Sequence, residues 1–198
     1  GIKNMKKLTV LFMAVVMTTA LMGCGGKVDS SAGEGAEAGA SKYGEAVEVL
    51  NAVFGTYAEA DLFSVYGGNQ ENPVMDAPGK FDISKTEELD YALGLPQAMA
   101  ADIDDAASMV HMMNGNVFTG AAYRLKDGVD MDSFAEEAKT KILGRQWMCG
   151  QPDTLIIIKV DGSYVITAFG AADTIETFKS NALSALEGAE VIIEAPIE

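Results

Sequence analysis

Two apolar stretches that each fold back on a turn dipeptide constrain this chain most. In "HMMNGNVFTGAAYRLKD", Asn114-Gly115 separates two apolar runs, and in "LIIIKVDGSYVITAF" Asp161-Gly162 does the same. Asn-Gly and Asp-Gly tolerate positive φ at both turn positions, so each pair predicts a β-hairpin. Residues 106–113 also carry the Ala and Met that favour a helix. The echo between the two stretches decides for strand.

Each hairpin leads into a segment of helical period. Asp132 is the expected cap of a helix with Phe134, Ala138 and Ile142 on one face and Gly144 at its end. Asp173 is the expected cap of another, with Glu176 completing a capping box, Ile175, Phe178, Ala182 and Leu186 inside, and Gly188 beyond it. A last strand is expected over 191–194. The order ββα, ββα, β predicts an α+β domain, an antiparallel sheet built from two ββα units with helices on one face.

Upstream, Tyr43, Ala46, Val47, Leu50, Val53, Phe54 and Tyr57 recur at steps of three and four, which predicts an amphipathic helix with Ser41 as its cap. Residues 61–86 are rich in Gly, Asn, Pro and Asp. A connection that long is expected to pack on the domain or serve a partner. A short helix is expected over 86–93, stopped by Gly94 and Pro96.

The N-terminus carries a different kind of signal. Lys6 and Lys7 precede an uncharged apolar run over 8–23, about 16 residues against the roughly 20 that span a bilayer. Met5 is the expected start. "LMGC", Leu21 to Cys24, has the form of a bacterial lipobox and predicts cleavage between Gly23 and Cys24. The resemblance to lipoprotein signals implies a diacylglyceryl thioether on Cys24. Residues 25–41 are small and polar without apolar period, as expected of a flexible tether. The domain organisation read from the sequence is therefore a signal over 1–23, a lipidated cysteine and tether over 24–41, and one α+β domain over 42–198.

Cleavage would remove three lysines and no acid, leaving 11 basic against 29 acidic residues, a net charge of −18. That excess argues against nucleic-acid partners, which need basic patches. It also argues against broad adhesion to anionic lipid, so the lipid would be the membrane contact. With Cys24 lipidated, Cys149 has no partner for a disulfide within the chain.

Beyond the lipobox, "YALGLP", the two hairpins and their helices look like small lipoproteins of clostridial-type bacteria that carry a C-terminal domain of unknown function, over residues 93–186. The resemblance implies an exported α+β domain and supplies no active site. "VMDAPGKFD" and "GRQWMCGQPD" lie outside it.

Reactive constellations are sparse. A nucleophilic Cys149 would need a base, and His111 is the one histidine. Cys149 reads instead as a small core residue, and Trp147 as a core or rim anchor. One His and one spare Cys fall short of a zinc site. The acidic stretches 102–105 and 127–132 lack the ligand order of a calcium loop. "APGK" lacks the first glycine of a phosphate loop and has no Ser or Thr after Lys80. No catalytic residue, metal or cofactor is assigned. Arg145, Trp147 and Lys80 are the candidate partner surface. The leading functional expectation is a non-enzymatic binding or accessory module at the extracytoplasmic face of the cell membrane, with an envelope protein as partner. The alternatives are a small-ligand-binding lipoprotein of a transport system and an enzyme using Cys149.

Overall fold

The computed structural model describes residues 41–198. The lipobox and residues 24–40 lie outside the described residues. Helix α1 (Ala46–Phe54) and a 3-10 turn (Glu59–Asp61) come first. Three short strands follow, β1 (Val65–Gly67), β2 (Val74–Met75) and β3 (Gly79–Lys80). Helix α2 (Thr86–Glu88) runs on into a π turn (Leu89–Leu93) that ends at Gly94, where φ is 76°. A 3-10 turn (Gln97–Asp102) then leads to β4 (Ile103–His111) and β5 (Phe118–Leu125). Next are α3 (Met131–Leu143), β6 (Thr154–Val160), β7 (Tyr164–Gly170), α4 (Ala172–Ala185) and β8 (Glu190–Pro196).

The strands form one antiparallel sheet in the order β2-β1-β4-β5-β7-β6-β8, with β3 also paired to β4. The α+β class, the two ββα units and the final strand all hold. Residues 103–111 are strand, as the echo between the hairpins demanded.

The helices, however, do not share one face. Phe134, Ala138 and Ile142 of α3 pack with Leu155, Ile157, Val165 and Phe169. Val49 and Leu50 of α1 and Ile175, Phe178 and Ala182 of α4 pack with Ile156, Ile158, Tyr164 and Ile166 on the other side. Topology explains the correction. The α3 crossover joins β5 to β6 past β7, and the α4 crossover joins β7 to β8 past β6. Both step the same way across the sheet, from strands of opposite direction. Two crossovers of the same hand must then fall on opposite faces. Composition agrees, since "LIIIKV" and "YVITAF" are apolar on both faces and need cover on both.

Residues 61–86 pack on the domain. β1 pairs with His111 and Val110, and β3 with Ser108 and Ala107, so the two short strands lie end to end along β4. Where they abut, a Cβ on Gly67 would sit 1.9 Å from the Gly79 nitrogen, which only glycine avoids. Buried Glu88 accepts from the Asn69 side chain at 3.1 Å and from the Gln70 N–H at 2.7 Å, tying this segment to α2.

The two turn dipeptides behave differently. Asp161 (φ 45°) and Gly162 (φ 75°) make the tight β6–β7 turn. Asn114-Gly115 lies in a longer β4–β5 loop, because the Asn114 side chain accepts from Asn116 N–H at 2.9 Å and its carbonyl from Val117 N–H at 3.0 Å. The expected caps also move. Asp130, not Asp132, caps α3 by accepting from Ser133 N–H at 2.7 Å. Asp173 lies inside the first turn of α4, and Asp153 accepts the Ala172 N–H at 3.0 Å in its place. Ser41 does not cap α1; its hydroxyl donates to Asp161 at 2.7 Å.

Candidate functional site

The strands give the domain two unlike ends. At one end the chain enters at Ser41 against the β6–β7 turn. At the other end lie the β4–β5 loop, the segment before β6, the start of α4 and the turn after α1. Strands of seven residues separate the two ends by about 20 Å.

An aromatic column is built at the second end. Phe118 meets Phe178 at 5.1 Å between ring centroids, Phe63 meets Phe118 at 5.5 Å, and Tyr57 meets Phe63 at 6.1 Å with the rings at 77°. His111 stacks on Phe63 at 5.3 Å, and its Nδ1 accepts the N–H groups of Met113 and Asn114. Where the column reaches the surface, Tyr57, Asp61, Phe63, Asp173, Thr174 and Thr177 line a cavity of about 320 Å³. The Tyr57 hydroxyl is buried without a hydrogen-bond partner. Burial, reinforced by the Asp61 charge, pushes the pKa of that phenol upward. Among the described residues, neither Asp61 nor Asp173 has a Lys, Arg or His nitrogen within 4.0 Å.

On the opposite face of the same end, Arg145 and Trp147 act together. The Arg145 guanidinium lies 4.8 Å from the Trp147 ring centroid and 5.5 Å from that of Phe169, and it donates to the Tyr91 carbonyl at 2.7 Å. Its Nη1 is buried without a partner, and burial lowers its pKa. Trp147 packs on Phe169 at 5.3 Å, the rim anchor that the sequence suggested.

Cys149 is a correction. It is exposed, with φ at 63°, rather than packed as a small core residue. The apolar flanks Trp147 and Met148 suggested burial, but only Trp147 turns inward; Met148 is 81% exposed. Asn116 donates to the carbonyls of Met148 (2.7 Å) and Gly150 (2.5 Å), holding the loop outward. Among the described residues no hydrogen bond joins Cys149 to His111, whose Nδ1 accepts from Met113 and Asn114 N–H instead.

Lys80 is not brought to Arg145 and Trp147. It pairs with Glu45 at 2.8 Å and with buried Asp105 at 3.6 Å, beside the start of α1. The acidic stretches likewise have structural tasks, with Asp104 on Arg124 at 2.6 Å and Asp105 on the Ala46 N–H at 2.7 Å. No group of three or more His, Cys, Asp or Glu that could hold a metal occurs among the described residues. No helix among them is long and apolar enough to cross a membrane.

No motif in the sequence marks the cavity at Tyr57. Its residues come from the turn after α1 and from the start of α4, and no local motif links segments so far apart. The chain matches no protein-family model, no curated protein and no solved structure.

Proposed function

We propose that this chain is an exported, lipid-anchored, non-enzymatic binding module of the bacterial cell envelope, akin to the clostridial-type lipoproteins it resembles. The observation that carries the reading is the lipobox Leu21–Cys24, set behind a short apolar run and followed by a small-polar stretch that leads to the domain. The lipid on Cys24 is the membrane contact, and the partner is an envelope protein. The architecture is compatible with presentation. The chain enters at the β6–β7 turn, and the Tyr57 cavity and the Arg145–Cys149 segment occupy the far end of the strands. Metabolic labelling with a clickable fatty acid tests the anchor. The native chain should take the label and Cys24→Ser should not; equal label on both overturns the reading.

The small-ligand alternative gains one specific support, the cavity lined by two aromatic rings and two carboxylates. The enzyme alternative gains an exposed thiol, which makes no hydrogen bond to His111 among the described residues.

A further inference from the structure

We propose that the cavity between Tyr57, Phe63, Asp61 and Asp173 is a binding site for a small organic ammonium ion. The inference deepens the small-ligand alternative by naming a ligand class, and it is independent of whether the chain is lipidated.

Three observations converge on a cation that also has an apolar shell. The first is the lining itself. Tyr57 and Phe63, whose rings stand at 77° to each other with centroids 6.1 Å apart, both line the cavity. A ring face presented to such a cavity attracts an alkylammonium group through the ring quadrupole, while the methyl groups fill apolar space.

The second is charge. Asp61 and Asp173 contribute two carboxylates, and neither is matched by a cation among the described residues. Asp173 does face the positive end of α4. That end is already answered by Asp153 on the Ala172 N–H, and Asp173 accepts only from its neighbour Thr174. An anion at this cavity would meet both carboxylates, so a negative ligand is disfavoured. A chain with 29 acidic residues against 14 basic adds a long-range bias in the same direction.

The third is preorganisation. Phe63 packs on His111 at 5.3 Å and on Phe118 at 5.5 Å, and Phe118 in turn on Phe178 in the core. The aromatic lining is therefore in place before a ligand arrives, which limits the ordering cost of binding. A volume of about 320 Å³ suits a head group of choline size and is at the small end of ligand pockets. A bare metal ion has less to gain, because only two of the lining residues are carboxylates and the rest are aromatic or hydroxyl.

The test is ligand-observed saturation-transfer NMR on the full chain in an uncharged maltoside detergent. Choline is the probe and 3,3-dimethylbutan-1-ol its uncharged isostere. The expected result is saturation transfer to the choline methyl groups, with little to the alcohol. The Asp61→Asn/Asp173→Asn double variant, checked by its thermal melt, should weaken choline binding about fivefold or more. Phe63→Leu should weaken it as well. No transfer to choline at about 20 mM, a ceiling for weak specific binding, overturns the proposal. So does equal transfer to the alcohol, or unchanged affinity in a folded double variant.

Discussion

The buried carboxylate of Asp105 accepts the backbone N–H of Ala46 at 2.7 Å and so fixes the start of α1 to the first residues of β4. The N–H groups of a first helical turn have no partner within the helix, and one satisfied by a charged acceptor is worth more than a neutral bond. Through this contact Val49, Leu50 and Val53 are seated on the sheet. Asp105→Ala should cost about 2–3 kcal/mol, since it removes the bond and leaves a buried donor unmet. Asp105→Asn keeps an acceptor and should cost less. Urea melts that place the alanine variant within about 0.5 kcal/mol of the native chain would mean that α1 is held by its apolar face alone.

Beside that contact, Lys80 bonds to Glu45 at 2.8 Å and holds the Glu45 carboxyl below its ordinary value of 4.5, through the hydrogen bond first and its charge second. A carboxyl lowered in the folded state contributes its full stabilisation above its unfolded value. That contribution is lost as pH falls through the lowered folded value. The native chain should therefore exceed Glu45→Gln in stability at pH 6, and the two should converge as pH drops below about 4.5. Thermal melts across pH 2.5–6.5 check this; a constant gap across the range would remove Glu45 from the acid response.

Helix α4 is capped from outside its own sequence neighbourhood. Asp153, just before β6, supplies the acceptor for Ala172 N–H. Asp153→Ala should cost about 1 kcal/mol, the usual value of an N-cap. Asp173→Ala should cost roughly 0.3–0.5 kcal/mol, from loss of a charge near the helix terminus. A reversed ranking in denaturant melts would make Asp173 the cap after all.

These caps mark where the sequence stops being legible. Periodicity finds the inward residues of α1, α3 and α4, because a buried stripe must repeat every three or four residues. The Asp161-Gly162 turn is read from two residues because its φ values are local. Strand order is not local, so the sequence leaves open which face each helix covers. Asp153 on Ala172 and Asp105 on Ala46 are long-range contacts, and a nearer aspartate or serine looks like the better cap until the sheet brings the distant one in. The Tyr57 cavity fails to appear in the sequence for the same reason. Asp61 and Asp173 have no periodic relation, and only the packing of α1 beside α4 joins them. Arg145 is one of two arginines and Trp147 the single tryptophan, and the structure places the guanidinium 4.8 Å from the indole centroid.

Cys149 is the position where composition misleads most and where the outcome is simplest to measure. Its neighbours Trp147 and Met148 are apolar and a core strand follows, yet the residue is exposed at φ 63°. The left-handed region suits glycine, and a side chain there carries strain. The loop tolerates it because Asn114 and Asn116 bind the carbonyls of residues 148–150 from across the β4–β5 loop. Two results follow from this geometry. A thiol reagent should label Cys149 in the native chain almost as fast as in denaturant, since no packing shields the sulfur. Cys149→Gly should fold and be stabilised by about 0.5–1 kcal/mol, because glycine adopts the same backbone without the Cβ clash. Slow native labelling would return the thiol to the interior, and a destabilised Cys149→Gly would mean that the side chain makes contacts which outweigh its backbone strain.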